Sequence, residues 1–315
     1  MTGYLVRRIV QAVIVVFGVV LLTFLLTKII PGGYARASLG PRASASAIAQ
    51  FNREHHLDQS IVTQFYYYVK GILHGDLGYS YQYNQSVTSL IWNALPNTIV
   101  LVGLSTIFAL IVAVPLGILQ VIRRNTPIDY ALTGASFVGY AMPAFLLGEL
   151  LILWFAIDIP IFQVEAPQSD TVWGILSDPR GWILPVITLS AITIAGFSRY
   201  MRSSMMETMT EDYIRTARAK GASPNRVLYR HALRNALIPI ITLLGLTLPA
   251  IVGGAVITET VFNYRGMGLL TTQAALHNDV PLLLGTTLIA SIATVLGNLI
   301  ADLLYVVADP RVRYA

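Results

Sequence analysis

Glu149 has the most to explain, because it sits inside the apolar run 130–157. An ionised carboxylate there is costly unless it faces a water-filled cavity or a partner. A polar contact lining a translocation path is one reading. Pairing with another subunit, or reach toward the outer interface, is the other. Asp302 lies close enough to the end of its own run to reach the interface or Arg311, and it reads as structural. His55 and His56 are adjacent imidazoles without further ligands, a poor set for a metal ion. Cysteine is absent, which excludes disulfides, thiolate metal sites and thiol catalysis. No Gly-Lys dipeptide occurs, so there is no G-x-x-x-x-G-K-S/T phosphate loop. Neither H-E-x-x-H nor G-x-S-x-G is found. The chain is therefore expected to hold no catalytic residue, no metal site and no cofactor of its own.

Composition sets the elements that must position such groups. Of 315 residues, 55% are hydrophobic and 12% charged, against a usual charged share of about 25%. A mean hydropathy of +0.65 leaves too few polar side chains to cover a soluble globule of this size. The sequence predicts an all-α integral membrane protein. Apolar runs long enough to cross a bilayer, about 20 residues each, fall at 9–30, 97–122, 130–157, 183–198, 237–258 and 283–308. The fourth is the weakest, being short and diluted by Pro185, Ser190 and Thr193. The first follows Arg7-Arg8 and precedes Ala35-Arg36-Ala37, as a signal peptide would. Its apolar stretch is too long for a signal core of about 7–15 residues, so it reads as an uncleaved anchor.

Cations set the orientation. One set of connecting segments holds Arg7, Arg8, Arg123, Arg124, Arg199, Arg202, Arg215, Arg218, Lys220, Arg226, Arg230, Arg234, Arg311 and Arg313. The alternate, longer set holds only Arg36, Arg42, Arg53, Lys70, Arg180 and Arg265, with Lys28 near the outer end of the first span. Both termini are therefore expected in the cytoplasm. The net charge of +5 is spread between apolar runs without forming a patch, and no nucleic-acid partner is expected. Segment 31–96 is too long for a simple connector. Leu57, Ile61, Phe65, Tyr68 and Ile72 fall on one helical face there, and Gly75-Asp76-Leu77-Gly78 reads as a turn. Tyr66, Tyr67 and Tyr68 suit either a membrane interface or packing within this external subdomain. The expected organisation is 1–96 for the first span with the extracytoplasmic segment, 97–308 for a five-helix core, and 309–315 for a cytoplasmic tail.

Two features within the core bear on mechanism. Pro143, Pro249 and Gly253-Gly254 interrupt the third and fifth spans. Broken helices often line a transport path, although proline is also common in membrane helices generally. Ala293, Gly297 and Ala301 form a small-residue stripe for close helix contact. The second feature is the cytoplasmic segment 199–236. Thr208-Met-Thr-Glu211 fits a capping box that would start a helix. Gly221 would end it in the left-handed conformation, and Ser223 and Pro224 would cap and open a second helix. That helix puts Val227, Leu228 and His231 on one side, with Arg226, Arg230 and Arg234 toward water or phosphate headgroups. The pattern fits a docking element for another protein and, equally, an amphipathic helix held by anionic membrane lipid.

Glu211-Asp-Tyr-Ile-Arg-Thr-Ala-Arg-Ala-Lys-Gly-Ala222, continuing through Arg230-His-Ala-Leu-Arg-Asn-Ala-Leu-Ile-Pro239, resembles the EAA loop of type I ATP-binding-cassette importer permeases. The version is that of the dipeptide, oligopeptide and nickel permeases. The likeness covers nearly the whole chain. It includes Tyr4-Leu-Val-Arg-Arg8, Pro31-Gly32, Leu57-Asp-Gln59, Gly75-Asp-Leu-Gly78, Leu95-Pro-Asn-Thr98 and Gly139-Tyr-Ala-Met-Pro143. Farther on it includes Glu259-Thr-Val-Phe262, Gly266-Met-Gly268, Asp279-Val-Pro281, and Asn298 through Tyr305 to Asp309-Pro-Arg311. Arg215 stands where many relatives have Glu, and Arg234 where sugar-type permeases have Pro.

The resemblance implies a six-span permease in the bacterial inner membrane, one half of a heterodimeric pore with a second homologous permease. It implies two cytoplasmic ATPase subunits that bind ATP and Mg, and an extracytoplasmic binding protein that delivers peptides. Arg215, Ala217, Ala219, Lys220, Gly221, Pro224, Arg226 and Arg230 would form the ATPase-coupling loop. Glu149, Pro143, Pro249 and Gly253 would be candidates for the path. Import of nickel chelates or glutathione by the same architecture is an alternative cargo. A secondary transporter is a rival of another class, expected to show more intramembrane charge and inverted-repeat halves.

Overall fold

In an apolar environment every backbone N–H and C=O must pair within its own segment, which a helix achieves. The computed structural model describes residues 2–169, 171–244 and 255–308 and is helical through most of that length. Among the described residues four helices are long and apolar enough to cross a membrane. They are Val6–Ile29 within α1 (Thr2–Ile29), α5 (Val87–Ile122), α9 (Pro179–Thr208) and Val280–Ile300 within α16 (Val280–Ala308). A bent pair of helices makes a fifth crossing if it is counted as one span.

That pair replaces the continuous span expected over 130–157. Helix α6 (Pro127–Ala141) and α7 (Ala144–Ile152), which runs on as a π-helical turn Leu153–Asp158, meet at 102°. Pro143 is the cause: the residue before a proline is driven out of the helical region, and Met142 has extended angles of φ −74° and ψ 126°. Helix α9 is longer than the expected 183–198. Of the residues that dilute it, Ser190 satisfies its hydroxyl on the helix by donating to Ile187 O at 2.9 Å, as Thr188 does to Leu184 O at 2.9 Å. The expected run 237–258 is described only at its ends, α13 over 238–244 and the start of α14 (Val256–Val261). Pro249 and Gly253, and the side chain of Asp302, lie outside the described residues, as do Arg311 and Arg313.

The chain divides into two compact units. The first holds α1, α2 (Gly33–Leu39), α3 (Ala45–Glu54), α4 (Ile61–Leu73), the start of α5, α8 (Val172–Leu176), α14, α15 (Met267–Leu276) and most of α16. Ser44 and Ser60 cap α3 and α4 by accepting from Ala47 N at 3.2 Å and Thr63 N at 3.3 Å. Of the expected face, Phe65 and Tyr68 pack on α1, with Phe24 lying 5.2 Å from Phe65 and 5.6 Å from Tyr68 between ring centroids, whereas Ile61 is exposed and Leu57 precedes α4. Tyr67 stacks on His56 at 3.8 Å, while Tyr66 is exposed. The turn at Gly75–Gly78 forms as expected, with positive φ at both glycines and Asp76 Oδ1 accepting from Gly78 N at 2.9 Å. An all-α expectation misses one small feature after it. Strands β1 (Tyr79–Ser80) and β2 (Gln85–Ser86) pair antiparallel, Tyr79 opposite Ser86.

The second unit holds the rest of α5, α6, α7, α9 and the elements that follow α9 up to α13. Its core gathers Ala113 and Ile118 of α5 with Phe197, Met201 and Met205 of α9. These two helices approach closely at Gly117, where a Cβ would stand 2.6 Å from Met201 Cβ and 2.9 Å from Ser198 O.

Candidate functional site

The basic segment after α9 folds as two short helices around a left-handed glycine. The capping-box expectation is corrected here. Thr208 is the last residue of α9, and α10 (Asp212–Ala219) begins four residues later with Glu211 at its N-cap position. Glu211 makes no side-chain cap; its acidic neighbour Asp212 occupies the first turn, where negative charge complements the helix dipole.

The end of α10 forms as the sequence predicts. Gly221 has φ +80°, Gly221 N donates to Arg218 O at 2.9 Å and Ala222 N to Ala217 O at 3.1 Å. That pair of bonds is a Schellman motif, which satisfies carbonyls the helix leaves open. A Cβ on Gly221 would meet no atom within 4 Å, so the requirement for glycine is conformational and not steric. Ser223 then accepts from Arg226 N at 3.4 Å, and Pro224 opens α11 (Pro224–Arg226). The helix continues through a π-helical turn, Val227–Ala232, into α12 (Leu233–Ala236).

One side of this hairpin is anchored. Ile214, Val227, Leu228, Ala232 and Ala236 are buried in the core with Met201, Met205, Ala113 and Ile118. Asn235 Nδ2 donates to Tyr213 Oη at 2.7 Å, tying the two arms together. The other side carries charge: Arg215, Arg218, Lys220, Arg226, Arg230 and Arg234 are exposed, as are Ala219 and Pro224, while Ala217 is half-buried. An open groove beside it is lined by Tyr213, Arg230, His231, Arg234 and Asn235. The expected coupling-loop residues thus sit on one continuous hairpin with an apolar root and a basic crown.

The path candidates divide. Pro143 is the N-cap of α7 at the break, and Glu149 lies on the same helix with an exposed side chain. Neither is among the residues of the hairpin's apolar core or its groove.

Pairings that the sequence does not show join α6 and α9 within the second unit. Arg202 of α9 pairs with Asp129 of α6 at 2.8 Å, and Asp129, 1% exposed, also accepts from Asn125 N at 3.0 Å. Arg199 lies 5.4 Å from the Tyr140 ring centroid, a cation–π contact between the same two helices. The only sequence signal was Asp129 in the first turn after Pro127, and nothing local ties it to an arginine 73 residues away.

Comparison with known proteins supplies the family. Residues 113–314 match the model of the binding-protein-dependent transport system inner membrane component, and residues 1–102 match the N-terminal model of such membrane components. The oligopeptide transport system permease protein AppB of Bacillus subtilis is 37% identical over all of both chains. The dipeptide transport system permease protein DppB of Alkalihalophilus pseudofirmus is 36% identical, again over all of both. DppB of Escherichia coli is 34% identical over 100% of this chain and 99% of its own. With the long apolar helices and two family models that together span most of its length, this chain belongs to the inner membrane components of binding-protein-dependent transport systems.

Proposed function

We propose that this chain is the permease subunit of an ATP-driven importer for di- or oligopeptides. The observation that carries the reading is the hairpin around Gly221, with its apolar root in the α5–α9 core and its cations exposed. Such an element can be gripped from outside and is too well anchored to move alone. A partner ATPase that closed on ATP and displaced the crown would carry the adjoining ends of α5 and α9 with it. The full-length similarity to oligopeptide and dipeptide permeases supports peptide as the cargo.

In this scheme the chain crosses the membrane six times with both termini in the cytoplasm and pairs with a second homologous permease. Two cytoplasmic ATPase subunits bind ATP and Mg, and an extracytoplasmic binding protein delivers the peptide. Arg215, Ala217, Ala219, Lys220, Gly221, Pro224, Arg226 and Arg230 make the ATPase contact. Glu149 and the break at Pro143 line the path, since an exposed carboxylate on an apolar helix is better placed against a polar cavity than against lipid. Pro249 and Gly253 are assigned to the same path. The chain itself hydrolyses nothing.

The test is reconstitution of the whole complex in vesicles with ATP enclosed and binding protein outside. Labelled peptide should accumulate only with both ATP and binding protein. Uptake driven by an ion gradient without ATP would instead identify a secondary transporter.

A further inference from the structure

A cavity of about 480 Å³ opens in the first unit among α1, α2, α3, α4 and the Gly75–Gly78 turn. Its size falls within the range of roughly 300–1,000 Å³ usual for small-molecule sites. Its walls combine rings with charges of both signs. Tyr34, Phe51 and Tyr68 supply aromatic surface, with Tyr34 and Phe51 ring centroids 6.4 Å apart. Burial pushes the Tyr34 and Tyr68 hydroxyls above the usual phenol range, so both remain neutral. Lys28, Glu54 and Asp76 line the same space.

The charges are not spent on each other. Lys28 Nζ lies 4.7 Å from the Phe24 ring centroid and donates to Gln64 Oε1. An ammonium has three donors, so capacity remains. Asp76 uses Oδ1 to hold Gly78 N, and Glu54 accepts from Gln50 Nε2 at 2.8 Å. Among the described residues, none of the three is in an ion pair. Lys28, Glu54 and Asp76 are all exposed where they line the cavity, so water solvates them when it is empty; an ammonium and two carboxylates beside aromatic walls, none paired with an opposite charge, suit a ligand with both charges and an apolar body.

We infer that this cavity binds a short zwitterionic peptide of two or three residues. Its C-terminal carboxylate meets Lys28, its N-terminal ammonium meets Asp76 and Glu54, and an apolar side chain lies against Tyr34, Phe51 and Tyr68. The inference deepens the peptide-import reading and rests on it: the permease would hold cargo itself, outside the path assigned to Glu149 and Pro143.

The test uses the full chain in lipid nanodiscs, without binding protein, titrated calorimetrically with Ala-Phe, N-acetyl-Ala-Phe and Ala-Phe amide. Each blocked peptide should bind at least ~10-fold more weakly than Ala-Phe, a difference of about 1.4 kcal/mol. Lys28→Met should weaken Ala-Phe to the level of its amide and leave the amide unchanged, with Lys28→Arg restoring most of the affinity. Asp76→Asn, which keeps the oxygen that caps Gly78, should weaken Ala-Phe and leave the N-acetyl peptide unchanged. Equal binding of free and blocked peptides, or no binding at millimolar concentration, overturns the inference. Competition by tetramethylammonium stronger than by Ala-Phe also overturns it, in favour of a cation box. Vesicle uptake by the wild-type complex separates the two claims: uptake without direct binding refutes only this site, whereas absent uptake refutes the functional reading.

Discussion

Thr98 donates its hydroxyl to the Glu259 carboxylate at 2.9 Å across a sequence separation of 161 residues. Glu259 is fully buried and has no cation within salt-bridge distance among the described residues; it is satisfied by donors alone. Ala255 N reaches it at 3.2 Å and Leu269 N at 3.0 Å, while Thr98 Oγ1 in turn accepts from Met267 N at 2.7 Å. Tyr264 Oη donates to Asn97 O at 2.8 Å, and Asn97 Nδ2 to Arg265 O at 2.8 Å. The knot fastens α5 to the loop between α14 and α15. Gly266 is required by close approach, since a Cβ there would collide with both Glu259 Oε2 and Thr98 Oγ1.

Removing the central hydroxyl should therefore cost more than its single bond. Thr98→Val leaves the buried carboxylate and Met267 N each one partner short, at about 1–3 kcal/mol for each unsatisfied group. Thr98→Ser should retain most of the stability. Thermal unfolding of the purified complex in detergent reads the difference; equal melting of Thr98→Val and wild type would show that the knot is dispensable.

The close approach at Gly117 gives a matched pair on one helix. Gly117→Val drives its Cβ into Met201 and should cost about 1–3 kcal/mol by overpacking. Gly103→Val, on the same helix with no atom within 4 Å of the added Cβ, should be tolerated. Comparable loss of folded protein in both would indicate that valine in α5, and not the contact, is at fault.

Asp129 is 1% exposed, whereas the Arg202 side chain keeps 30% of its surface in contact with solvent. Asp129→Ala should therefore cost about 1–3 kcal/mol, and the apolar double replacement Asp129→Leu with Arg202→Met should recover most of it. A double-mutant cycle on detergent unfolding measures the coupling. Additive losses would mean that the two groups stabilise the fold independently.

Gly221 offers a test of mechanism. Its φ of +80° makes a side chain there strained by about 1 kcal/mol or more, although nothing is in its way. Gly221→Val should insert and assemble with nearly normal yield while peptide uptake per complex collapses. Ala222→Ser, one residue on, should transport normally. Wild-type uptake by both variants would reduce the hairpin to a surface helix, and loss in both would assign the coupling to its surface.

The proposed topology can be read with single cysteines, because the native chain has none. Asp58 and Ser223 are both exposed. In intact cells an impermeant maleimide should label Asp58→Cys and spare Ser223→Cys. Strong labelling at Ser223→Cys would reverse the orientation drawn from the cations.

Local rules carried far in this sequence. The left-handed turn at Gly221, the Ser223 cap and Pro224 start, the Gly75–Gly78 turn and four of the long apolar helices follow from single residues and their near neighbours. They were legible because glycine, proline, capping hydroxyls and apolar run length act within a few residues. Periodicity separated Val227 and Leu228, buried, from Arg226 and Arg230, exposed, but His231, expected beside the apolar pair, lines the groove with Arg230 and Arg234. Sequence reading failed where a local signal had a competitor. Thr208 could begin a helix or end one, and the momentum of α9, with Met201 and Met205 buried in the core, made it the end. Pro143 was visible as an interruption and it makes the break, but nothing local to it sets the angle at 102°. Only tertiary structure decided the pairings. Leu95-Pro-Asn-Thr98 and Glu259-Thr-Val-Phe262 stood as separate fragments of a resemblance until folding brought Thr98 onto Glu259. Asp129 found Arg202, and Gly117 found Met201, by the same long-range closure. A hydrogen bond or a close contact between distant segments has no period and no spacing along the chain, so it leaves no trace there.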